Sequence, residues 1–212
     1  MRRTKSRESL PYQEINCSGT FNVFISQNIQ QKLEVEADDN IIEFISTEVE
    51  NNILYIKSIK PSGYNGINTQ NVKVYLEAEK IDKIIQSGTG NIISESRWQF
   101  ENLEIKSSGT GGIVMSLEGD VLKVIHKGTG DCHFTGSVKQ QDLSISGTGN
   151  YDAKDLVSGI VNIETSGTGN VTLQAIENLR INSSGTGNIS YKGNPELIIK
   201  NHCRLGSIRQ IT

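Results

Sequence analysis

The sequence predicts an all-β chain, built mainly as a right-handed parallel β-helix, or β-solenoid, of about twenty residues per coil. Three observations predict it. The five-residue string SGTGN stands at 87–91, 146–150, 166–170 and 184–188, with near-copies SGTGG at 108–112 and KGTGD at 127–131. The first glycines of these motifs, Gly88, Gly109, Gly128, Gly147, Gly167 and Gly185, are 21, 19, 19, 20 and 18 residues apart. Between the motifs, apolar residues alternate with polar ones, which is the pattern of a strand with one buried face.

Each repeat can be built in order. Before the turns come the inward pairs Leu103/Ile105, Leu122/Val124, Leu143/Ile145, Val161/Ile163 and Leu179/Ile181. After them come Ile113/Met115, Cys132/Phe134, Tyr151/Ala153, Val171/Leu173 and Ile189/Tyr191. A repeat thus has two short strands, a Gly-rich corner, and a more variable corner such as SESRWQFEN or TGSVKQQD. A unit this short cannot enclose a core alone, but stacked coils can, at the ~4.8 Å spacing of paired strands. Equivalent corner residues then fall into columns. Gly88, Thr89, Gly90 and Asn91 stand under Thr110, Thr129, Thr148, Thr168 and Thr186, with Asn150, Asn170 and Asn188 beside them. Stacked Thr and Asn can hydrogen-bond up the column. Glycine flanks the threonine because the corner requires either a positive φ or close backbone approach between coils.

The first third lacks the GTG motif. Segments 21–25, 32–36, 53–56 and 72–76 alternate as strands, and Ser18–Asn22 (SGTFN) reads as a degenerate corner. Residues 38–45 (DDNIIEFI) suggest a helical turn capped by Asp or Asn, and 61–70 (PSGYNGINTQ) a loop. Three sections follow: 1–14, disordered or not native to the protein; 15–80, a β-rich section continuous with the solenoid and covering its first edge; and 81–212, the GTG-repeat solenoid with a C-terminal cap. The pattern breaks at YKGNPE (191–196), and 197–199 with 205–208 form a last, imperfect coil.

Composition narrows function. With 21 Lys+Arg against 24 Asp+Glu, the chain has no basic excess, so no nucleic acid partner is expected. No run approaches the ~18 apolar residues of a membrane helix, so no transmembrane segment is expected. Three cysteines, Cys17, Cys132 and Cys203, form no even set and no CxxC. Cys132-His133 and His202-Cys203 are adjacent pairs whose members point to opposite faces of a strand, so no metal site is expected. GTGGIV (109–114) lacks the full dinucleotide spacing, and its GTG turn occurs six times, where a cofactor loop occurs once and opens a helix; no cofactor is expected. The calcium β-roll repeats every nine residues with an acid, and here only Asp131 is acidic at that place. No catalytic residues are assigned.

SGTGN turns, a non-repetitive β-rich start and Tyr191-Lys-Gly-Asn-Pro195 near the end together resemble the bacterial head GIN domain family of auto-transporter adhesins, over roughly 15–208. That resemblance implies an extracytoplasmic β-helical protein with a signal or lipoprotein leader. The polar start MRRTKSRESLPYQE holds no such leader, so the chain is expected to begin after a removed one. The leading functional expectation is a non-enzymatic surface module that binds glycan or protein through its rigid repeat surface. Arg97, Trp98 and Phe100 are the candidate contacts, Trp98 as a ring that stacks on sugar. A self-assembling scaffold, with a homo-oligomer as its sign, and a polysaccharide-active enzyme are the alternatives.

Overall fold

The computed structural model describes residues 2–59, 71–202 and 205–212. The loop expected at 61–70 and Cys203 lie outside the described residues, as does the side chain of His202. The chain is a β-solenoid of about 7 turns with ~19 residues per turn.

Five long strands carry it: β9 (Ile92–Ser107), β10 (Ile113–His126), β11 (Cys132–Ile145), β12 (Tyr151–Thr165) and β13 (Val171–Ser183). Each pairs in parallel with the next, and GTG corners join them. The sequence separates two short strands around a variable corner in each repeat. The structure instead keeps the ladder hydrogen-bonded through that bend, with register shifts at Val114/Ser116, His133/Thr135 and Ala153/Val157. Bulges of this kind bend a strand without ending its pairing.

The inward columns follow the sequence pattern. One runs Leu54, Ile15, Ile84, Ile105, Val124, Leu143, Ile163, Ile181, Ile199 through successive registers. All but Ile199 are buried. Each such side chain contributes roughly 1.5–3 kcal/mol by leaving water. The next column runs Leu103, Leu122, Gln141, Val161, Leu179. Gln141, which the sequence assigns to a variable corner, is buried among them. Its carboxamide oxygen accepts from the Tyr151 hydroxyl at 2.6 Å and its nitrogen donates to Ser158 Oγ, so the buried polar group is satisfied.

The N-terminal third is wound out of order. Strands β2 (Glu14–Ser18) and β3 (Asn22–Gln27) form a coil whose corner, 18–22, lies under Ser87–Asn91. Strands β6 (Ile53–Ser58) and β7 (Lys73–Ala78), later in sequence, pair on the other side of that coil. Strand β8 (Lys83–Gln86) then returns to pair with β2 and β9. Strands β4 (Lys32–Asp38) and β5 (Ile45–Glu50) pair antiparallel with β7 and β6 and cover the end of the stack. Residues 1–14, expected to be disordered or not native to the protein, hold β1 (Arg2–Ser6), antiparallel to β4. Arg2–Glu36 at 2.6 Å and Arg3–Asp39 at 2.7 Å tie it down. The capped helical turn expected at 38–45 is a single 3-10 turn, Ile42–Phe44, with Ile41 at its start and no side-chain cap. At the other end β14 (Ile189–Lys192) and β15 (Glu196–His202) pair with β13, and β16 (Ile208–Gln210) with β14. Gly193, at φ 96°, makes the turn between β14 and β15.

Candidate binding site

The GTG corners stack as expected. The Thr129 amide donates to Gly109 O at 3.1 Å, Thr148 to Gly128 O at 3.2 Å and Thr168 to Gly147 O at 3.1 Å. Below and above them Thr89, Thr110 and Thr186 bond Gly19, Gly88 and Gly167 in the same way. The first glycine of each corner is required by close approach, because a Cβ there would overlap the carbonyl oxygen of its counterpart one coil away. Positive φ is not the reason: among the described glycines it occurs only at Gly136 and Gly193.

The asparagine column is a true ladder. The oxygen of Asn150 accepts from the backbone N–H of Asn170 at 3.0 Å and from its carboxamide at 3.2 Å; Asn170 serves Asn188 likewise at 3.1 and 3.2 Å. Asn91 accepts from Gly112 N–H at 2.8 Å, and Asn188 from Ser207 N–H. Asp131 fills the same role toward Asn150 at 2.7 Å. The threonine hydroxyls differ from expectation. Thr110, Thr129, Thr148, Thr168 and Thr186 are exposed, no hydroxyl–hydroxyl bond links them among the described residues, and the column is joined through the backbone. A shallow groove of about 500 Å³ runs along this ridge from Thr20 to Thr129, between the Ser and Thr rows.

A larger concavity, about 680 Å³, lies at the opposite bends, where the β2–β3 coil meets β9 and β10. Gln13, Gln27, Gln99 and Phe100 line it, with the charged Glu79, Lys80, Glu101 and Glu118. Gln27 is its fixed point. Its nitrogen donates to Glu79 O at 2.8 Å and Gln99 O at 3.0 Å, while its oxygen accepts from Gln99 N–H at 2.7 Å. Phe100 is half-buried, its ring lying where any side chain at Gly119 would stand. Arg97, 62% exposed, reaches the rim by its contact with Glu118 at 3.5 Å. Of the predicted contacts Phe100 lines the cleft, and Arg97 stands outside its lining, touching it only through Glu118.

Trp98 is corrected. It is fully buried beside Leu117, on the inner face of β9, and its indole N–H has no partner among the described residues. Strand alternation turns it away from Arg97, so it cannot offer a face to a sugar. The sequence signal missed at this site is Gln27, whose residue type and position gave no hint of a contact 72 residues away.

One buried pair has the residue types of catalysis. Cys132 Sγ lies 3.7 Å from His126 Nδ1. Burial pushes the Cys132 thiol up to about 12 and the His126 imidazole below its ordinary value. Both are thus neutral near pH 7, the opposite of an activated thiolate pair. Cys132 and His133 do split across the strand: His133 faces outward, 3.3 Å from Asp152. Among the described residues no group of three His, Cys, Asp or Glu could hold a metal ion, and no helix is long and apolar enough to cross a membrane.

Solved structures share this architecture. A "putative adhesin" from Bacteroides fragilis NCTC 9343 superposes with a TM-score of 0.91 at 25% identity, over 100% of this chain and 97% of that one. A "putative lipid binding protein" from Parabacteroides distasonis ATCC 8503 gives 0.76 at 22% identity, over 100% and 97%. A "putative adhesin" from Parabacteroides merdae ATCC 43184 gives 0.75 at 20% identity, over 100% and 96%. No curated protein matches the sequence. The family model described as "Putative auto-transporter adhesin, head GIN domain" matches residues 11–195, and with its turns, period and coil all present the chain belongs to that family.

Proposed function

We propose that this protein is a non-enzymatic module acting outside the cytoplasm, at the cell surface, and that it binds a glycan in the cleft of Gln27, Gln99 and Phe100. The observation that carries this reading is the convergence there of one aromatic ring, three carboxamides, three carboxylates and the Lys80 side chain on a framework held by Gln27. Sugars offer hydroxyls to amides and carboxylates and an apolar C–H face to a ring. Family membership and the adhesin-like relatives support the surface role. A glycosidase needs two carboxyl groups in contrasting environments, one kept protonated by burial. Glu79, Glu101 and Glu118 are all solvent-exposed, which favours binding over cleavage.

The test is a glycan array followed by calorimetry on any hit. Phe100→Ala and Arg97→Ala should each weaken binding, Phe100→Ala by about tenfold or more, with melting temperature recorded for both. An array without hits, or a hit indifferent to Phe100, would remove the glycan reading. Turnover of the bound glycan would replace it with an enzyme.

A further inference from the structure

The two ends of the solenoid are finished differently. At the N-terminal end β1, β4 and β5 run antiparallel and cover the stack. At the C-terminal end β15 pairs only with β13 among the described residues, so its outer row of N–H and C=O groups is open. The core columns are open there too. Leu197 and Ile199 stand directly over Leu179 and Ile181, which are fully buried, yet are 38% and 45% exposed themselves; Leu205 nearby is 80% exposed. An unprotected edge with apolar side chains is a template for another strand.

The sequence of that edge selects its partner. Glu196–Lys200 reads ELIIK. Laid antiparallel against a second copy about Ile198, it sets Glu196 opposite Lys200 twice over, and Leu197 opposite Ile199 twice over. Neither Glu196 nor Lys200 forms an ion pair among the described residues. The β13 ladder is irregular between Ile181 and Asn182, which leaves Lys200 without a β13 partner.

We propose that the C-terminal coil is a homodimerisation face. Two copies join end to end, β15 against β15, so that the ladders and the Leu197/Ile199 columns continue across a two-fold axis at Ile198. Such a contact is isologous and closed, and the capped N-terminal ends stop growth at two.

Sedimentation velocity across a concentration series tests this. The wild-type protein should pass from monomer to dimer as concentration rises. Lys200→Glu sets like charges opposite each other at both symmetry-related sites, as does Glu196→Lys. Each should raise the dimer Kd about tenfold or more. The two variants mixed in equal amounts pair opposite charges again and should recover wild-type affinity as a heterodimer. Both positions are exposed, so each variant's melting curve should match the wild type at a concentration where all are monomeric. A monomer at every concentration, a dimer untouched by either variant, a mixture that fails to recover, or filaments would each overturn the proposal.

Discussion

Gln86, Ser107 and His126 occupy one column, one coil apart, just before their corners. Gln86 Nε2 reaches into its corner and donates to Gly88 O at 2.9 Å and Gly90 O at 3.1 Å, and Ser107 Oγ donates to Gln86 Oε1 at 3.2 Å. His126 Nε2 lies close to the corner glycine Gly149, but unlike Gln86 Nε2 it is buried without a hydrogen-bond partner among the described residues. This histidine is buried in the core, and that burial makes it pH-sensitive. Desolvation lowers its folded pKa, against smaller opposing effects of the Gly149 backbone and Asp131. At pH values between the folded value and the unfolded value of about 6.5, the unfolded chain binds the proton and the folded chain does not. Stability is therefore full above pH 6.5 and declines as pH falls toward the folded pKa. His126→Gln, which copies Gln86, should remove this part of the acid decline. Denaturant unfolding of both proteins at pH 7.5 and pH 5 checks it: the loss of unfolding free energy should be smaller for the variant.

Each corner works as an element because two devices act together. Buried glycines let backbones approach, and the exposed asparagine ties each coil to the next. The ladder tolerates Asp131, since a carboxylate accepts as a carboxamide does. It is interrupted at Gly112, which has no side chain to accept, its backbone carbonyl taking the Ile92 N–H instead. Asn170→Ala should cost about 1 kcal/mol, because it removes the acceptor for Asn188 and the donor to Asn150 at a site water can partly refill. Asn170→Asp should cost less, keeping the acceptor. Thermal unfolding of the two variants separates these outcomes. The repeated corner was legible because six copies expose its period. The bends were not, because bulges let one ladder continue through sequences as unlike as SESRWQFEN and TGSVKQQD. Gln27 and Phe100 meet at such bends, so the cleft was invisible even though Phe100 and Arg97 could be singled out by type.

At the scale of the molecule, the stack is stabilised coil by coil, each contacting only its neighbours. Amide hydrogen exchange should therefore be graded. Protection should be highest in β10, β11 and β12, which are paired on both sides, and lowest in β15 and β16, which among the described residues are paired on one. Uniform protection along the chain would contradict this. The N-terminal cap belongs to the same scale: β1, β4 and β5 are needed because a parallel stack begins with an open edge.

The sequence by itself determined the coil. Alternation sets which face is buried, the spacing of GTG sets its length, and the glycines demand that corners lie against one another. Those are local or strictly periodic facts, and a single chain displays them. Tertiary structure alone decided that β6 and β7 pair beneath the β2–β3 coil that precedes them, that Trp98 faces inward while Phe100 edges a cleft, and that β15 pairs with β13 alone among the described residues. The reason is physical. A short alternating strand can pair with any open edge, and only the fit of side chains from distant coils chooses among them.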